Sequence, residues 1–193
     1  MLDTGVDGKR RCFGNGPGRG HYAEYHDNEW GVPVHDDRVH FEFIVLEGAQ
    51  AGLNWETILK KRSGYRKAFK DFSPARVALM SDTELEALRS DPGIVRNRLK
   101  IESARRNARV FLRIQEKFGS FDSWLWEHVD GKPVRTAWQE MADMPATTPL
   151  SDSLSRELKL MGMNFVGSTI VYAFLQAVGV VNDHVVDCWK SDG

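Results

Sequence analysis

Two cysteines and two histidines form pairs near opposite ends of the chain, Cys12 with His26 and His184 with Cys188. The second pair is spaced four residues apart, so on a helix both side chains would share one face. Thiolate sulfur and imidazole nitrogen are ligands of tetrahedral Zn²⁺, and a structural zinc site needs four ligands. The sequence therefore predicts a structural Zn²⁺ site that joins the N-terminal segment to a C-terminal helix.

These cysteines and histidines have two alternative uses. The two cysteines could form one disulfide, but the thiols of cytosolic proteins stay reduced. A zinc hydrolase is a second alternative, and it needs an open metal position that four protein ligands would not leave. A structural zinc clip is therefore the favoured interpretation.

Length and composition are those of a globular protein. The chain has 193 residues, of which 41% are hydrophobic, and this length suits one domain or two small helical lobes. No apolar run approaches the roughly 20 residues that span a bilayer. Residues 1–11 are polar and contain glycine, without an apolar signal core. We expect them to be a flexible extension of a cytoplasmic, monomeric protein whose single domain covers residues 12–193.

Charge is segregated although the formal net charge is only −1. Residues 60–70 carry six basic side chains and no acid, and residues 95–117 carry eight basic side chains against two glutamates. Either run could present a basic face to phosphates, because local charge density rather than net charge attracts them. The alternative is that each run is the solvated surface of a helix.

Helical signals dominate the chain, and they predict an all-α protein. Apolar residues recur with the 3.6-residue period of a buried helix face, and serine caps precede several of the patterns. No convincing set of strands and no internal repeat is found. Predicted helices cover 41–50, 53–61, a segment from Ser73-Pro74, a segment from Ser81, 94–118 ending at Gly119, 151–160 and 168–178, with a linker at 147–149.

Residues 161–167 lie between the last two predicted helices, and this turn contains glycines at 162 and 167. Backbone N–H groups that point outward at a helix N-terminus bind anions. The segment resembles the turn of a helix-hairpin-helix motif, which holds a DNA phosphate without reading sequence. A plain αα-hairpin is the alternative. The predicted DNA contacts are Met163, Phe165, Val166, Gly167 and Ser168.

A glutamate and several aromatic residues are grouped within residues 22–55. Glu47 has apolar neighbours, where a carboxylate is costly unless it has a partner or a function. Gln50 is one helical turn away and is the expected partner. Tyr22, Tyr25 and Trp55 taken singly would be ordinary core aromatics.

These motifs together resemble the bacterial 3-methyladenine DNA glycosylase I family over residues 12–188. The matching motifs are Tyr-His-Asp-Asn-Glu-Trp-Gly at 25–31, Leu-Glu-Gly-x-Gln-Ala-Gly-Leu-x-Trp at 46–55, Phe-Val-Gly at 165–167 and Asn-Asp-His at 182–184. The resemblance implies a helix-hairpin-helix fold, a structural zinc and excision of 3-methyladenine from alkylated double-stranded DNA. By resemblance, the zinc ligands are Cys12, His26, His184 and Cys188. The base pocket is formed by Tyr22, Tyr25, Glu47 and Trp55.

The residues agree with that chemistry. A cationic methylated base stacks on aromatic faces, and Glu47 would accept a hydrogen bond from its exocyclic amine and contribute to catalysis. Residues 168–181 contain no Asp, Glu or Lys, so we expect a monofunctional enzyme. The segment Asn182-Asp183-His184 is expected to orient the zinc histidine.

One position departs from the family pattern, and one rival function remains. Asn54 stands where Ser or Thr often precedes the tryptophan, which could change a hydrogen bond in the pocket. The rival is a zinc-clipped module that senses damaged DNA without cutting it. Release of the base separates the two.

Overall fold

The computed structural model describes residues 2–191, and within that range the chain is mainly helical, as predicted. Residue 1 of the predicted extension and residues 192 and 193 of the predicted domain lie outside it. The helices are α1 (Gly20–Asn28), α2 (Asp37–Gln50), α3 (Trp55–Ala68), α4 (Pro74–Ala78), α5 (Asp82–Leu88), α6 (Arg98–Phe118), α7 (Phe121–Glu127), α8 (Pro149–Leu160) and α9 (Ser168–Ala177). Short 3₁₀ turns occur at Lys70–Phe72 and Met141–Asp143.

Local capping sets most helix starts. The predicted capping box is confirmed, because Ser81 and Glu84 exchange side-chain and backbone hydrogen bonds at the start of α5. Asp36 accepts from two backbone N–H groups of α2, so that helix begins four residues earlier than predicted. Asn97 accepts from Lys100 N–H, which delays α6 to residue 98. Gly119 ends α6 as predicted, with a φ of 86° that favours glycine.

Two capping residues correct the remaining predicted bounds. Asn54 accepts from Thr57 N–H and begins α3 at Trp55, and the helix continues to residue 68 rather than 61. Its side chain therefore caps a helix at the site where we expected it to alter the pocket. Thr148 caps α8 and Pro149 is its first residue, so the helix begins two residues before the predicted start and includes the last residue of the predicted linker 147–149.

One short pair of strands was missed by the sequence analysis. Strand β1 (Val134–Arg135) pairs in parallel with β2 (Val181–Asn182), and Val134 lies opposite Val181. Strands of two residues are too short to show the alternation that identifies a strand in sequence. The pair attaches the segment before α8 to the segment after α9.

Between the end of α9 and residue 191 the chain is not helical, which corrects the predicted C-terminal helix carrying His184 and Cys188. The chain turns away at Gly179, whose φ is 68°. A Cβ at that position would lie 2.2 Å from the carbonyl carbon of Val32, so the close approach of the two backbones requires glycine. His184 is in irregular backbone and Cys188 is in a bend.

Helix α2 is central to the fold. Its residues 40–49 are all buried, and it contacts α3, α6, α7 and α9. Phe111 of α6 stacks on Phe121 of α7 with ring centroids 4.3 Å apart, and Phe41 of α2 packs edge-on against Phe111. A glutamate on the inner face of this helix is held rigidly, because dense packing fixes its backbone. Among the described helices, none is long and apolar enough to cross a membrane.

The N-terminal segment packs on the domain. Thr4 and Arg10 form an antiparallel bridge, and the buried Arg11 pairs with Asp27 of α1 at 2.7 Å. The flexibility of residues 1–11 and the domain boundary at residue 12 stay predictions.

Candidate functional site

A cavity of about 200 Å³ lies between α1, α2, α3, α9 and the Met141–Asp143 turn. This is smaller than the roughly 300 to 1,000 Å³ of sites for drug-sized ligands. It therefore suits a ligand of about the size of one flat ring system. Its wall is formed by Phe13, Tyr22, Tyr25, Trp30, Glu47, Gln50, Trp55, Met141, Met144, Ala173 and Gln176.

Glu47 is the only acidic residue of that wall. Its side chain comes from the inner face of α2, and the residue is 4% exposed. Gln50 lines the same cavity but does not bond to it, and no other described residue forms a hydrogen bond or ion pair with the carboxyl group. Burial raises the pKa of Glu47 to about 8. A carboxyl group without a partner in a small cavity is a candidate ligand contact.

Aromatic rings form most of the remaining wall. Tyr25 lies 5.5 Å from Trp55 between ring centroids, and Tyr22 stacks on Phe13 at 4.5 Å. Burial, and next the nearby Glu47, raise the pKa of Tyr25 well above its usual value, so its hydroxyl keeps its proton. The Nε1–H of Trp55 is buried and donates to no described acceptor. The cavity thus offers ring faces, a free donor and a free carboxyl group.

The four residues predicted for the pocket, Tyr22, Tyr25, Glu47 and Trp55, line this single cavity. Trp30 was assigned to packing, and it does pack against the His184 ring at 4.6 Å, but it also lines the cavity. Met141 and Met144 come from a loop about ninety residues downstream of Trp55 in the chain. No sequence signal connects that loop to the pocket, because the contact arises only on folding.

A possible metal site lies next to the cavity. The ligand atoms of Cys12, His26 and Cys188 all lie within 4.8 Å of one another. Ligand atoms around tetrahedral zinc are about 3.3 to 3.8 Å apart, given bonds of about 2.0 to 2.3 Å. The Cys188 Sγ to His26 Nε2 distance of 3.4 Å already matches this spacing. Both cysteines are free thiols, so the alternative disulfide is not formed.

His184, the fourth predicted ligand, lies at the edge of this group with its ring 4.9 Å from that of His26. Its Nδ1 is 2.8 Å from Asn182 Oδ1, while its buried Nε2 has no described partner. The Nδ1 of His26 is held in the same way by Asp27 at 2.9 Å. Each ring is therefore oriented through Nδ1, with Nε2 free of side-chain oxygen partners, as in histidines that bind metals.

The thiols and the second histidine also have shifted pKa values. A hydrogen bond from the Cys12 thiol lowers the pKa of Cys188 to about 4, and the same contact raises the pKa of Cys12. Burial, and next the neighbouring His26, lower the pKa of His184 to about 4. One thiolate and one neutral imidazole are thus present at neutral pH, and both are forms that ligate zinc.

Within the segment Asn182-Asp183-His184, it is Asn182 that holds the His184 ring, and Asp183 has a separate role. The carboxylate of Asp183 is fully buried and accepts from Thr136 at 2.7 Å, Trp138 at 2.9 Å and Gln176 at 2.6 Å, as well as from the Tyr172 hydroxyl. These donors come from the segment leading to Met141 and from α9. Asp183 therefore fastens the methionine loop to the cavity wall.

The predicted turn between α8 and α9 is present at residues 161–167. Asn107 of α6 donates to Asn164 O and accepts from Asn164 N–H, both at 2.9 Å, so the turn is clamped from behind. Phe165 has a φ of 54° and packs on Gly48, where a Cβ would lie 3.2 Å from the Phe165 Cβ. Gly48 follows Glu47 in the chain, so this contact brings the turn next to the part of α2 that carries Glu47.

Two of the side chains predicted to contact DNA are buried. Met163 and Val166 are 3% and 4% exposed, so their side chains are part of the core and not of a binding surface. The backbone N–H groups of Phe165, Gly167 and Ser168 donate to no described acceptor. Any anion at this turn would therefore be held by backbone donors at the N-terminus of α9.

A sequence model of the methyladenine glycosylase family matches residues 17–191. The chain belongs to this family. Among curated relatives, DNA-3-methyladenine glycosylase 1 of Escherichia coli K12 is 47% identical over 167 residues, covering 86% of this chain and 89% of the relative. DNA-3-methyladenine glycosylase of Haemophilus influenzae is 41% identical, covering 86% of this chain and 90% of the relative.

Solved structures give the same family. A crystal structure of 3-methyladenine DNA glycosylase I superposes with a TM-score of 0.86 at 47% identity, covering 89% of this chain and 94% of that one. A structure describing 3-methyladenine recognition by the Staphylococcus aureus enzyme superposes with a TM-score of 0.87 at 37% identity, covering 90% and 92%. The resemblance read from the sequence motifs is confirmed. The curated relatives of this chain are DNA-3-methyladenine glycosylases, which are hydrolases of N-glycosyl bonds.

The buried carboxyl group of Glu47 predicts a pH-dependent stability. Its pKa is about 8 in the folded protein, against an ordinary value of 4.5. Between these values the folded state binds more protons than the unfolded state, so the free energy of unfolding falls as pH rises, by up to about 1.4 kcal/mol per pH unit. Urea unfolding between about pH 5 and pH 8 should show this decrease in the wild type and much less of it in Glu47→Gln.

The exposed Glu116 of α6 provides the matched control. Glu116→Gln should keep the wild-type dependence on pH, because it leaves the buried Glu47 carboxyl group in place. Equal pH dependence in all three proteins would contradict a protonated Glu47 in the empty cavity.

Proposed function

We propose that the chain is a DNA repair enzyme that hydrolyses the N-glycosidic bond of 3-methyladenine in alkylated double-stranded DNA. The observation that carries this proposal is the partnerless Glu47 carboxyl group facing an aromatic cavity the size of one base. The family membership and the structure of a relative that describes 3-methyladenine recognition support it.

Base selection follows from charge. Methylation at N3 makes adenine cationic, and a cationic ring over Tyr or Trp faces gains about 0.5 to 2 kcal/mol per contact. Glu47 accepts a hydrogen bond from the exocyclic amine of the base and complements its charge. Unmodified adenine is neutral, so it gains less from both the rings and the carboxylate.

Proton release from Glu47 sharpens this selection. In the empty cavity the carboxyl group is mostly protonated at neutral pH, since its pKa is about 8. A cationic base stabilises the ionised carboxylate and displaces the proton, whereas neutral adenine leaves a protonated acid or a buried unpaired charge. Discrimination then rests on the charge of the lesion rather than on its shape alone.

Hydrolysis needs modest assistance, because the positive charge already weakens the glycosidic bond. The ionised Glu47 stabilises the oxocarbenium-like transition state and orients the attacking water, while the cavity excludes neutral bases. No other acid or amine is available after the hairpin: residues 168–181 contain none, and Asp183 is fully occupied by four donors. The enzyme is therefore monofunctional and leaves an abasic site without strand cleavage.

A base stacked inside a duplex cannot reach the cavity, so the nucleotide must flip out of the duplex. The turn at residues 161–167 acts as the helix-hairpin-helix element and holds one phosphate through the backbone N–H groups of Phe165, Gly167 and Ser168. Its short distance from Glu47 through the Phe165–Gly48 contact sets where the flipped base enters. The protein acts as a monomer.

Zinc is the proposed cofactor, held by Cys12, His26, Cys188 and, through its partnerless Nε2, His184. With four protein ligands it supplies a structural cross-link and no open position for substrate. The cross-link attaches the residues before α1 to the turn after β2. Because Trp30 packs on both histidine rings and also lines the cavity, the clip holds one cavity wall in place.

The test is incubation of purified protein with methylated genomic DNA and mass spectrometry of the released bases. We expect release of 3-methyladenine while 7-methylguanine stays in the DNA. No release from a folded, zinc-loaded sample would overturn the proposal. Binding of alkylated DNA without release would then favour the damage-sensing module.

A further inference from the structure

We propose that Arg106, Arg109 and Arg113 of α6 form a second DNA-backbone surface that continues from the turn at residues 161–167. This inference rests on the proposed function, since it takes duplex DNA as the partner. We call these three residues the α6 arginine row.

The row follows from helical spacing. Residues 106, 109 and 113 are separated by three and four positions, so they share one face of α6, and all three are exposed. They line a groove of about 320 Å³ whose opposite edge includes Gly162. The seven-residue step from the first to the last spans about 10 Å along the helix. That length corresponds to about three base-pair steps of about 3.4 Å each, measured along the axis of a DNA duplex.

The three arginines of the α6 arginine row are not paired with acidic side chains of any described residue. Arg106 has no hydrogen bond or ion pair with any described residue. Arg109 and Arg113 each donate to one backbone carbonyl, Ala78 O at 3.1 Å and Met161 O at 2.7 Å, and neither pairs with a carboxylate. A guanidinium that is anchored at one nitrogen still presents its other N–H groups to a phosphate.

Other charges in the groove are already balanced. Glu102, the one acidic residue of the lining, is paired with Arg98 at 2.7 Å, and Arg105 is paired with Asp82 at 2.6 Å. The excess positive charge of the groove therefore belongs to the row.

The other basic run of the sequence contrasts with this arrangement. Arg62 and Arg66 pair with Glu42, Lys60 with Glu56 and Lys70 with Glu84. Lys61 donates to a backbone carbonyl. Most of residues 60–70 are thus committed within the protein, and tertiary structure leaves the row on α6 as the basic run that is open to phosphates.

Arg106 connects the row to the turn. It also lines an adjacent groove of about 440 Å³ that contains Lys159, Phe165 and Gly167. A phosphate on the free N–H groups of Phe165 and Gly167 would therefore lie next to Arg106, and the following phosphates would pass along Arg109 and Arg113. Asn107, between them on the sequence, clamps the turn to α6, which keeps the two surfaces in register.

The test measures binding of an undamaged duplex by fluorescence anisotropy at several salt concentrations. Each phosphate contact contributes about 0.9 to the slope of log Kobs against log salt. The triple variant Arg106→Gln, Arg109→Gln, Arg113→Gln should lower that slope by about 2.7 and weaken binding at low salt. Arg106→Gln alone should lower it by about 0.9, and this variant removes no intramolecular hydrogen bond.

The control removes three exposed positive charges that lie outside α6, with Lys67→Gln, Arg76→Gln and Arg89→Gln, and should change the slope by less than about 0.9, the contribution of one phosphate contact. Binding of free 3-methyladenine, followed by tryptophan fluorescence, should stay at the wild-type level in the row variants. Equal slopes in the wild type, the triple variant and the control would overturn the row while leaving the proposed function intact. A wild-type protein that binds no duplex would overturn both.

Discussion

Glu47→Gln should lower the single-turnover rate of 3-methyladenine excision by about 10- to 100-fold. The substitution keeps the size of the side chain and removes its ability to become an anion. A hydrogen bond to a charged group is worth about 1.5 to 3 kcal/mol, which is the expected loss with a cationic base. Quenched-flow excision from methylated duplex DNA, with enzyme in excess, gives this rate.

Glu47→Gln should lower the excision rate without lowering the stability of the fold. A loss of rate in this variant would therefore not be explained by unfolding. The wild-type carboxyl group is destabilising near its pKa of about 8, because ionisation in the cavity is costly. Glu47→Gln should therefore be at least as stable as the wild type at pH 8 while being slower. The exposed control Glu116→Gln should match the wild type in rate and in thermal midpoint.

An unchanged excision rate in Glu47→Gln would remove this residue from any essential role. The cavity aromatics would then account for recognition alone, through stacking that does not depend on an anion.

Cys188→Ala should abolish binding of the proposed zinc and lower the thermal midpoint by about 8 to 16 °C. Its thiol lies in the cluster with Cys12 and His26, and a tetrahedral site that loses a thiolate loses most of its affinity. A ligand at a thousandfold excess over Kd stabilises the folded state by about 4 kcal/mol. In a domain of this size each kcal/mol corresponds to about 2 to 4 °C. Metal content by mass spectrometry and differential scanning calorimetry measure the two effects.

The alanine substitution also leaves a cavity, which lowers stability by itself. A chelator separates that effect from the loss of the metal. Chelation should lower the midpoint of the wild type and leave that of Cys188→Ala unchanged. Replacement of zinc by cobalt should not alter the excision rate of folded protein, because the site has no open position. Wild-type protein that purifies without metal and ignores the chelator would contradict the zinc site. A rate that changes with the metal would instead favour the zinc hydrolase.

Local chemistry explains what could be predicted from the sequence. Capping by Ser81 and the end of α6 at Gly119 depend on atoms within four residues, so they are legible in the chain itself. The pocket residues Tyr22, Tyr25, Glu47 and Trp55 were found because they occupy two short motifs with a strong family resemblance. Their common cavity follows from α1, α2 and α3 being consecutive helices.

Contacts between distant segments explain what was missed or wrong. The strand pair β1–β2, and the role of Asp183 in fastening the methionine loop, join residues about 45 positions apart. His184 and Cys188 do have the spacing of one helix face, but after the close approach at Gly179 the segment that carries them is irregular rather than helical. Local pattern cannot report a constraint that another segment imposes.

The sequence by itself determined the helical class, the family, the pocket motifs and the two Cys and His pairs. Only the tertiary structure decided that Glu47 has no partner among the described residues and that Asn182 rather than Asp183 holds His184. It also decided that most of the basic run 60–70 is paired within the protein, while Arg106, Arg109 and Arg113 are not paired with carboxylates of the described residues. The physical reason is that hydrogen bonding and ion pairing are exclusive. A side chain is available for a ligand only when the rest of the fold leaves it without a partner.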